Sequence, residues 1–366
     1  MTDHLFSPLE LRETELPNRL MVSPMCQYSV EGRDGIATEW HHVHLGSRAV
    51  GGAGLVMAEA TAVEKRGRIS PEDLGIWSDD HAAALERTTE FIASMGSMSG
   101  IQLAHAGRKA STARPWEGGG PLSKNEGGWD VIAPSDRPWP YEEGGPKTER
   151  LSRDEIEDIV TAFRDAAERA DDAGFDVVEV HAAHGYLLHE FLSPVTNDRS
   201  DEYGGSFDNR TRLLREVTRA VRASWPDGKP VFVRISGTDW LSDRDSWTVE
   251  QSARLADDLR ELGVDLIDVS SGGINPASTP DWVGPNYQLR LAEYIREHTE
   301  TDIAIGTVGG ITTPEQADEI IRNDRADLSI VGREFLRNPY FGLECAQTLQ
   351  VAESTKPPVQ YYRGFQ

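Results

Sequence analysis

Short apolar runs rich in β-branched residues alternate along the chain with longer amphipathic stretches. This alternation is typical of a parallel sheet built from strand–helix units, and therefore of the α/β class. Eight runs have the length and composition of buried strands, which is the number that a closed barrel requires. They cover residues 20–25, 54–61, 99–106, 175–182, 231–236, 264–271, 303–310 and 328–335. The pattern predicts a (β/α)8 TIM barrel.

The segments between these runs carry helix signals. Ser152 and Glu155 form a capping-box pattern, and apolar residues then recur at helical spacing as far as Gly174. Thr313 followed by Pro314 predicts a second clean helix start, because proline is tolerated at the first helical position.

Two long segments interrupt the alternation. Residues 107–150, rich in Gly, Pro and Trp, follow the third predicted strand, and residues 186–206 follow the fourth. Both should lie at the carboxyl-end rim of the barrel, where the active sites of this fold form. No flexible linker or repeat divides the sequence. We therefore predict a single domain over residues 1–366, with 107–150 as a rim insertion and 351–366 as a C-terminal tail.

The net charge of the chain limits the classes of partner that it can bind. Sixty-one acidic residues against 37 basic ones give a net charge of −24. This charge repels phosphates, so we expect neither nucleic acid nor an anionic membrane as a partner. Salt at 1 M shortens the Debye length to about 3 Å and would screen the self-repulsion. We hypothesise a salt-loving (halophilic) source; an ordinary acidic protein is the alternative.

The cysteine count and the hydropathy narrow the class further. Cys26 and Cys345 are too few for a disulfide framework or for a four-thiolate metal or iron–sulfur site. No uncharged apolar run approaches the roughly 20 residues that span a bilayer. The first residues show neither the basic nor the apolar part of a secretory signal. We expect a cytoplasmic protein.

Glycines lie at or near the carboxyl ends of the last two predicted strands. Gly309 and Gly310 end the seventh run, and Gly332 precedes Arg333 in the eighth. Glycines leave backbone N–H groups open to close approach by a phosphate. The loops after strands seven and eight form the common phosphate site of this fold. The sequence therefore predicts a phosphate-bearing ligand at this side of the rim.

Three other strand ends supply polar chemistry. The fourth provides His181, His184 and Tyr186, the third provides the amide of Gln102, and the fifth provides the cation of Arg234. An isoalloxazine ring needs amide-like partners at its pyrimidine edge and a positive charge near N1 when it is reduced. The rim therefore predicts a flavin site, with two imidazoles and a phenol left to act on a substrate.

With these residues in view, the chain resembles the old yellow enzyme family of FMN-dependent ene-reductases, in its thermophilic-like branch. The matching segments span almost the whole chain, and the 30-residue block that starts at His181 is the most specific. The segments are SPMCQYS (23–29), residues 40–63, QLAHAGRKA (102–110), residues 181–210, VRIS (233–236) and VQYYRGF (359–365).

The resemblance implies a role for each matched position. Tyr186 would protonate Cα of an alkene, while His181 and His184 would hold the carbonyl oxygen of that substrate. Tyr28 would line the substrate pocket, and Arg363 would reach into the site of a neighbouring subunit. Cofactor binding, with no metal, would fall to Ser23, Pro24, Met25, Cys26, Ala60, Gln102, Arg234, Gly309, Gly310, Gly332 and Arg333.

The resemblance also implies an activity. The enzyme would take hydride from NADPH or NADH through FMN and reduce the C=C bond of small α,β-unsaturated carbonyl compounds, with ping-pong kinetics. An arginine acting across a subunit boundary implies a homodimer or homotetramer. Iron–sulfur relatives carry several cysteines after the barrel, and Cys345 stands alone there, which excludes that branch.

Two other functions remain open at this point. The pair His181 and His184 is compatible with a metal-assisted barrel hydrolase or lyase, although the rim shows no third ligand at a matching spacing. A flavin-binding redox sensor without turnover, acting through Cys26, is the other alternative. The intact histidine pair and Tyr186 argue against the sensor.

Several single residues also have plain structural interpretations. Cys26 could be an inert core thiol, Gln102 an ordinary strand-end amide, and Arg363 part of a frayed terminus. The histidine cluster WHHVH (40–44) is predicted to be structural, packing or capping on the first barrel helix. The tryptophans of 107–150 could serve packing alone.

Overall fold

The computed structural model describes residues 3–142, 144–351, 355 and 357–364. Within them, eight parallel strands close into a barrel with helices between them, so the predicted TIM barrel is confirmed. The strands in chain order are β1 (Leu9–Leu11), β2 (Thr14–Leu16), β3 (Leu20–Val22), β4 (Leu55–Ala62), β5 (Met98–Ala104), β6 (Val131–Ala133), β7 (Thr148–Arg150), β8 (Val177–Ala182), β9 (Val231–Ser236), β10 (Leu266–Ser270), β11 (Ala304–Val308) and β12 (Leu328–Val331). The closed barrel consists of β3, β4, β5, β8, β9, β10, β11 and β12.

Helices join the barrel strands and cover them from outside. They are α1 (Glu39–Val50), α2 (Asp79–Ser94), α3 (Arg153–Asp172), α4 (Leu187–Leu192), α5 (Phe207–Arg210), α6 (Arg212–Ser224), α7 (Val249–Glu261), α8 (Leu289–His298), α9 (Pro314–Arg322), α10 (Arg333–Arg337) and α11 (Phe341–Thr348). In the part of the chain that the structure describes, none of the helices combines the length and the apolar character that crossing a bilayer requires.

The amino end of the barrel is filled by side chains. Met21, Leu55, Phe232 and Leu266 are fully buried there and pack in one apolar cluster. The antiparallel hairpin β1–β2 adds apolar side chains to the same cluster, Leu16 among them. This packing closes the barrel interior at the amino end, opposite the strand ends that carry the predicted site residues.

The predicted helix starts are present. Ser152 Oγ accepts from the N–H of Glu155, and the Glu155 carboxylate accepts from the N–H of Ser152 at 2.9 Å. Thr313 and Gln316 form the same reciprocal pair at the start of α9. In the predicted structural histidine cluster, buried His41 caps α1 through Nδ1.

Some predicted boundaries were wrong. The eighth strand ends at Val331, and residues 333–335 belong to α10, because Gly332 (φ −101°, ψ −95°) turns the chain out of the sheet. The first strand ends at Val22, so residues 23–25 are irregular. The rim loop 186–206 contains the fully buried helix α4, whose apolar sequence LLHEFL was mistaken for loop.

The insertion 107–150 has its own structure beside the rim. It consists of three short 3-10 turns and the small parallel sheet formed by β6 and β7. Trp129 Nε1 donates to the carbonyl of Arg66 at 2.9 Å, and the Arg108 guanidinium donates to the carbonyl of Ile274 at 2.7 Å. These contacts join the insertion to the loops that follow β4 and β10.

Candidate active site

A cavity of about 620 Å³ opens at the carboxyl ends of β11 and β12. The structure brings predicted residues from five strand ends to its wall. They are Pro24, Met25, His184, Arg234, Gly309, Gly310, Gly332 and Arg333. The loop before α8 and the last two residues of α10 also contribute to the wall, and neither was predicted. These additional residues are Val283, Gly284, Pro285, Tyr287, Gln288, Leu336 and Arg337.

Two of the predicted glycines are required by the backbone. Gly309 has φ +127° and Gly310 has φ +71°, which is the region that side chains disfavour. A Cβ on Gly310 would lie 2.2 Å from the carbonyl oxygen of Gly284, and one on Gly309 would lie 2.8 Å from Gln288 Nε2. A Cβ on Gly332 would meet nothing closer than Met25 Sδ at 3.7 Å. The turn 309–310 therefore presents a bare backbone to the cavity.

Arg234 supplies a fixed cation at the floor of the cavity. Its side chain is 5% exposed, its Nη1 donates to Ser23 Oγ at 3.2 Å, and its Nε lies 3.2 Å from Asp268 Oδ2. Gln102 is also buried, and its amide donates to Glu179 Oε1 at 2.7 Å. Both predicted polar partners of a flavin are thus held by carboxyl groups that the sequence analysis did not single out.

The two predicted histidines lie on the same side of the rim. Their ring centroids are 5.2 Å apart, because His184 adopts φ +60° where β8 gives way to the loop. His181 Nδ1 accepts from the N–H of Ala183 at 3.3 Å, which leaves Nε2 as a donor. His184 Nε2 pairs with Ser270 Oγ at 2.7 Å, which leaves Nδ1.

The charge state of these histidines follows from their surroundings. Burial, and next the nearby Arg234 guanidinium, lower the pKa of His181 and of His184 well below the usual value. At neutral pH both rings are therefore neutral. A neutral imidazole has one N–H to donate, so each ring can offer one hydrogen bond to a substrate oxygen.

Tyr186 stands beside this pair. Its ring centroid is 5.2 Å from that of His181, and burial raises the pKa of its phenol. Lys109 Nζ lies 4.8 Å from the Tyr186 ring and donates to the carbonyl of His184 at 2.8 Å. Tyr186 and Ala60 line a separate small cavity. The phenol keeps its proton at neutral pH, as a proton donor must.

Cys26 and Tyr28 follow the end of β3. Burial, followed by the carboxyls of Asp73 and Glu59, raises the pKa of the Cys26 thiol, whereas the neighbouring Tyr28 lowers it. Tyr28 has φ +50° and meets Trp116 of the insertion edge to face at 5.8 Å. This contact explains why Trp116 stands at the outer edge of the site.

Arg363 is not among the residues that line this chain's own cavity. It belongs to the exposed 3-10 turn Val359–Gly364. Of the predicted tail 351–366, residues 352–354, 356, 365 and 366 lie outside the described residues. The role of Arg363 in a neighbouring subunit stays a prediction.

Within the described ranges, no three His, Cys, Asp or Glu side chains are grouped as the ligands of a metal ion would be.

The cavity fits a flavin mononucleotide. The bare turn 309–310 and Arg333 suit a phosphate, while Arg234 and Gln102 suit the pyrimidine edge of the ring. Barrel and site together place this chain in the class of flavin-dependent oxidoreductases.

Comparison with known proteins agrees with this class. The chain belongs to the NADH:flavin oxidoreductase / NADH oxidase family, whose model matches residues 4–351. It is 46% identical to an NADPH dehydrogenase of Listeria innocua over 99% of both chains. It is 47% identical to an NADPH dehydrogenase of Geobacillus thermodenitrificans, over 100% of this chain and 99% of that one.

Solved structures show the same relationship. The old yellow enzyme homologue from Zymomonas mobilis matches 98% of both chains with a TM-score of 0.77 and 27% identity. Morphinone reductase in complex with tetrahydroNAD matches 96% of this chain and 92% of that one, with a TM-score of 0.76 and 28% identity. The resemblance to the old yellow enzyme family is confirmed. The chain is an FMN-dependent NAD(P)H dehydrogenase, which replaces the metal-assisted alternative.

Proposed function

We propose that this dehydrogenase passes its electrons to the C=C bond of α,β-unsaturated carbonyl compounds. The observation that carries the proposal is the cluster of two neutral imidazoles and one protonated phenol, with ring centroids 5.2 Å apart. A carbonyl oxygen needs hydrogen-bond donors, and the carbon next to it needs an acid. His181 and His184 supply the donors and Tyr186 supplies the acid, close enough together to act on one substrate molecule.

The cofactor would be held by the chain's own groups at three places. The turn 309–310 and Arg333 would bind the phosphate, Gln102 would meet the pyrimidine edge, and Arg234 would lie near N1. FMN supplies hydride transfer from the nicotinamide donor to the substrate alkene. The cluster at 181–186 and Tyr28 would bind the alkene over the open face of the ring.

The histidines would act on the substrate oxygen. Nε2 of His181 and Nδ1 of His184 are the ring nitrogens left available for it. Donors placed at a developing oxyanion contribute about 2.7–4 kcal/mol each in studied enzymes. The pair would therefore make Cβ electrophilic and stabilise the negative charge that develops on the oxygen.

Tyr186 would complete the reaction by giving its proton to Cα. Its raised pKa keeps the phenol protonated, and the Lys109 ammonium 4.8 Å from the ring offsets charge that develops on the phenol oxygen. Because the nicotinamide and the alkene would use the same open face, each would leave before the other binds. This shared site gives ping-pong kinetics.

The assembly is a second part of the proposal. Arg363 is exposed on this chain and does not line its own cavity, so a role in catalysis would require a second copy. We propose a homodimer or homotetramer in which Arg363 of one copy meets the alkene site of another.

The Tyr186→Phe variant tests the proton donor. We expect anaerobic reduction of bound FMN by NADPH at the wild-type rate and reoxidation by 2-cyclohexenone slowed at least 100-fold, since general acid catalysis contributes roughly 10²–10⁴-fold. Stopped-flow absorbance measures both half-reactions separately. Tyr203→Phe is the control, because the Tyr203 phenol donates to Glu216 and lines neither the cofactor cavity nor the small cavity at Tyr186. Wild-type reoxidation in Tyr186→Phe would refute the assignment.

A further inference from the structure

Two buried acids flank Arg234 inside the barrel. Glu179 on β8 and Asp268 on β10 are both 0% exposed. Asp268 pairs in register with Arg234, and Glu179 pairs in register with Gln102. The four side chains thus form one buried cluster directly beneath the cavity, and two of its members are the proposed partners of FMN.

Three carboxyl oxygens of this cluster accept no hydrogen bond from the described residues. Glu179 Oε1 accepts from Gln102 at 2.7 Å. Glu179 Oε2 and both oxygens of Asp268 find no hydrogen-bond donor among the described residues, although Arg234 Nε lies 3.2 Å from Asp268 Oδ2. The two carboxyl groups lie close enough for each to shift the pKa of the other.

Two ionised carboxylates in contact inside a barrel are strongly unfavourable, because each is desolvated and they repel each other. One proton removes the conflict. It lets Glu179 Oε2 donate to Asp268, which leaves a single negative charge opposite the single positive charge of Arg234. Carboxyl pairs elsewhere share a proton for the same reason.

We propose that Glu179 and Asp268 share one proton and act as a positioning pair that orients Gln102 and Arg234 toward FMN and neutralises Arg234 from behind. Glu179 holds the Gln102 amide by accepting its N–H. Asp268 holds the guanidinium and sets the net positive charge that the cofactor experiences. The inference rests on the proposed contact of Gln102 and Arg234 with the cofactor.

The surrounding charges agree with this arrangement. Burial and the neighbouring Asp268 raise the pKa of Glu179 to about 8, so Glu179 holds the proton at neutral pH. Burial also raises the pKa of Asp268, whereas Arg234 and the hydrogen bond from Glu179 lower it. The other titratable groups that face Arg234 are His181 and His184, which are neutral, and Tyr287, whose pKa is raised.

Replacing each acid by its amide should therefore have different effects on bound FMN. Asp268→Asn removes the negative charge behind Arg234, and the uncompensated guanidinium then favours the more negative, reduced cofactor. Glu179→Gln replaces a protonated acid by a neutral amide that can still accept from Gln102 and donate to Asp268. Charge around Arg234 is then unchanged.

The test measures the midpoint potential of bound FMN in the holoenzyme. For Asp268→Asn we expect the ratio of the FMN dissociation constants, oxidised over reduced, to rise at least tenfold, which is about 30 mV for a two-electron couple. For Glu179→Gln we expect a change of less than threefold. Glu190→Gln is the matched control, because Glu190 is equally buried with a pKa raised to about 8 but contacts Arg108; it should leave the potential unchanged.

Equal shifts in Asp268→Asn and Glu179→Gln would overturn the shared proton. No shift in Asp268→Asn, with a lowered potential in Arg234→Gln, would overturn the pair alone. No shift of the potential in Asp268→Asn and none in Arg234→Gln would overturn the proposed contact of Arg234 with the cofactor as well. These readouts need only bound FMN, so failure to reduce alkenes would not affect them.

Wild-type protein offers a second measurement that does not depend on a variant folding. The reduced-minus-oxidised infrared spectrum should contain the C=O stretch of a protonated carboxyl at neutral pH, perturbed when the charge on the cofactor changes. An infrared difference spectrum with carboxylate bands only would contradict the shared proton.

Discussion

Gly310→Ala should damage the cofactor site. The new Cβ would adopt φ +71° and lie 2.2 Å from the carbonyl oxygen of Gly284. Left-handed backbone costs a non-glycine residue about 1–2 kcal/mol. Relieving the contact requires the segment around Gly284, which lines the cavity, to move by about 1 Å, and overpacking of this kind costs roughly 1–3 kcal/mol.

The backbone cost is the same in the apoprotein and the holoenzyme, so it lowers stability, and only the displacement of the segment around Gly284 acts on FMN binding. A displacement that costs about 2 kcal/mol, the middle of this range, weakens FMN binding roughly 30-fold. Recovery of FMN fluorescence on dilution of the holoenzyme measures the dissociation constant, and urea unfolding of the apoprotein separates stability from binding.

Gly205→Ala is the control for backbone strain alone. Gly205 has φ +84°, and a Cβ there would meet nothing within 4 Å. The Gly205→Ala substitution should lower the free energy of unfolding but leave the FMN dissociation constant unchanged. If Gly310→Ala bound FMN as the wild type does, the turn 309–310 would not be the phosphate site.

Two further predictions concern pH and salt. Because the pKa values of His181 and His184 are lowered and that of Tyr186 is raised, neither the donors nor the acid change charge between pH 6 and 9. The alkene kcat/KM should be flat from pH 5.5 to 7, and an inflection near pH 6.5 would refute neutral imidazoles; above pH 7 it should change as Lys109 and Glu179, whose pKa values lie at about 8, lose their protons. With a net charge of −24, the free energy of unfolding should rise from 0.1 to 2 M KCl as repulsion is screened; a constant or falling value would contradict the salt-loving interpretation.

The fold was predictable because its signals are local. Parallel barrel strands are buried on both faces, so each appears as a continuous apolar run, and the capping pairs at Ser152 and Thr313 need only neighbouring residues. Strand ends were less predictable, since Gly332 redirects the chain through a backbone angle that the sequence does not encode.

The candidate site was predictable where residues sit at strand ends, and less so elsewhere. Glu179 and Asp268 were missed although a signal existed, because each is the one acid within an otherwise apolar strand (VVEVHA and LIDVS). The loop 283–288 was missed for another reason. Its contact with Gly309 and Gly310 depends on tertiary packing between residues more than 20 positions apart.

The reoxidation of the reduced enzyme tests the central claim most directly. Holoenzyme reduced anaerobically with one equivalent of NADPH is mixed with 2-cyclohexenone, and the flavin absorbance and the organic product are followed together. Our account predicts full return of the flavin absorbance with one cyclohexanone formed per FMN. Flavin that stays reduced until oxygen is admitted, with the alkene recovered intact, would contradict it.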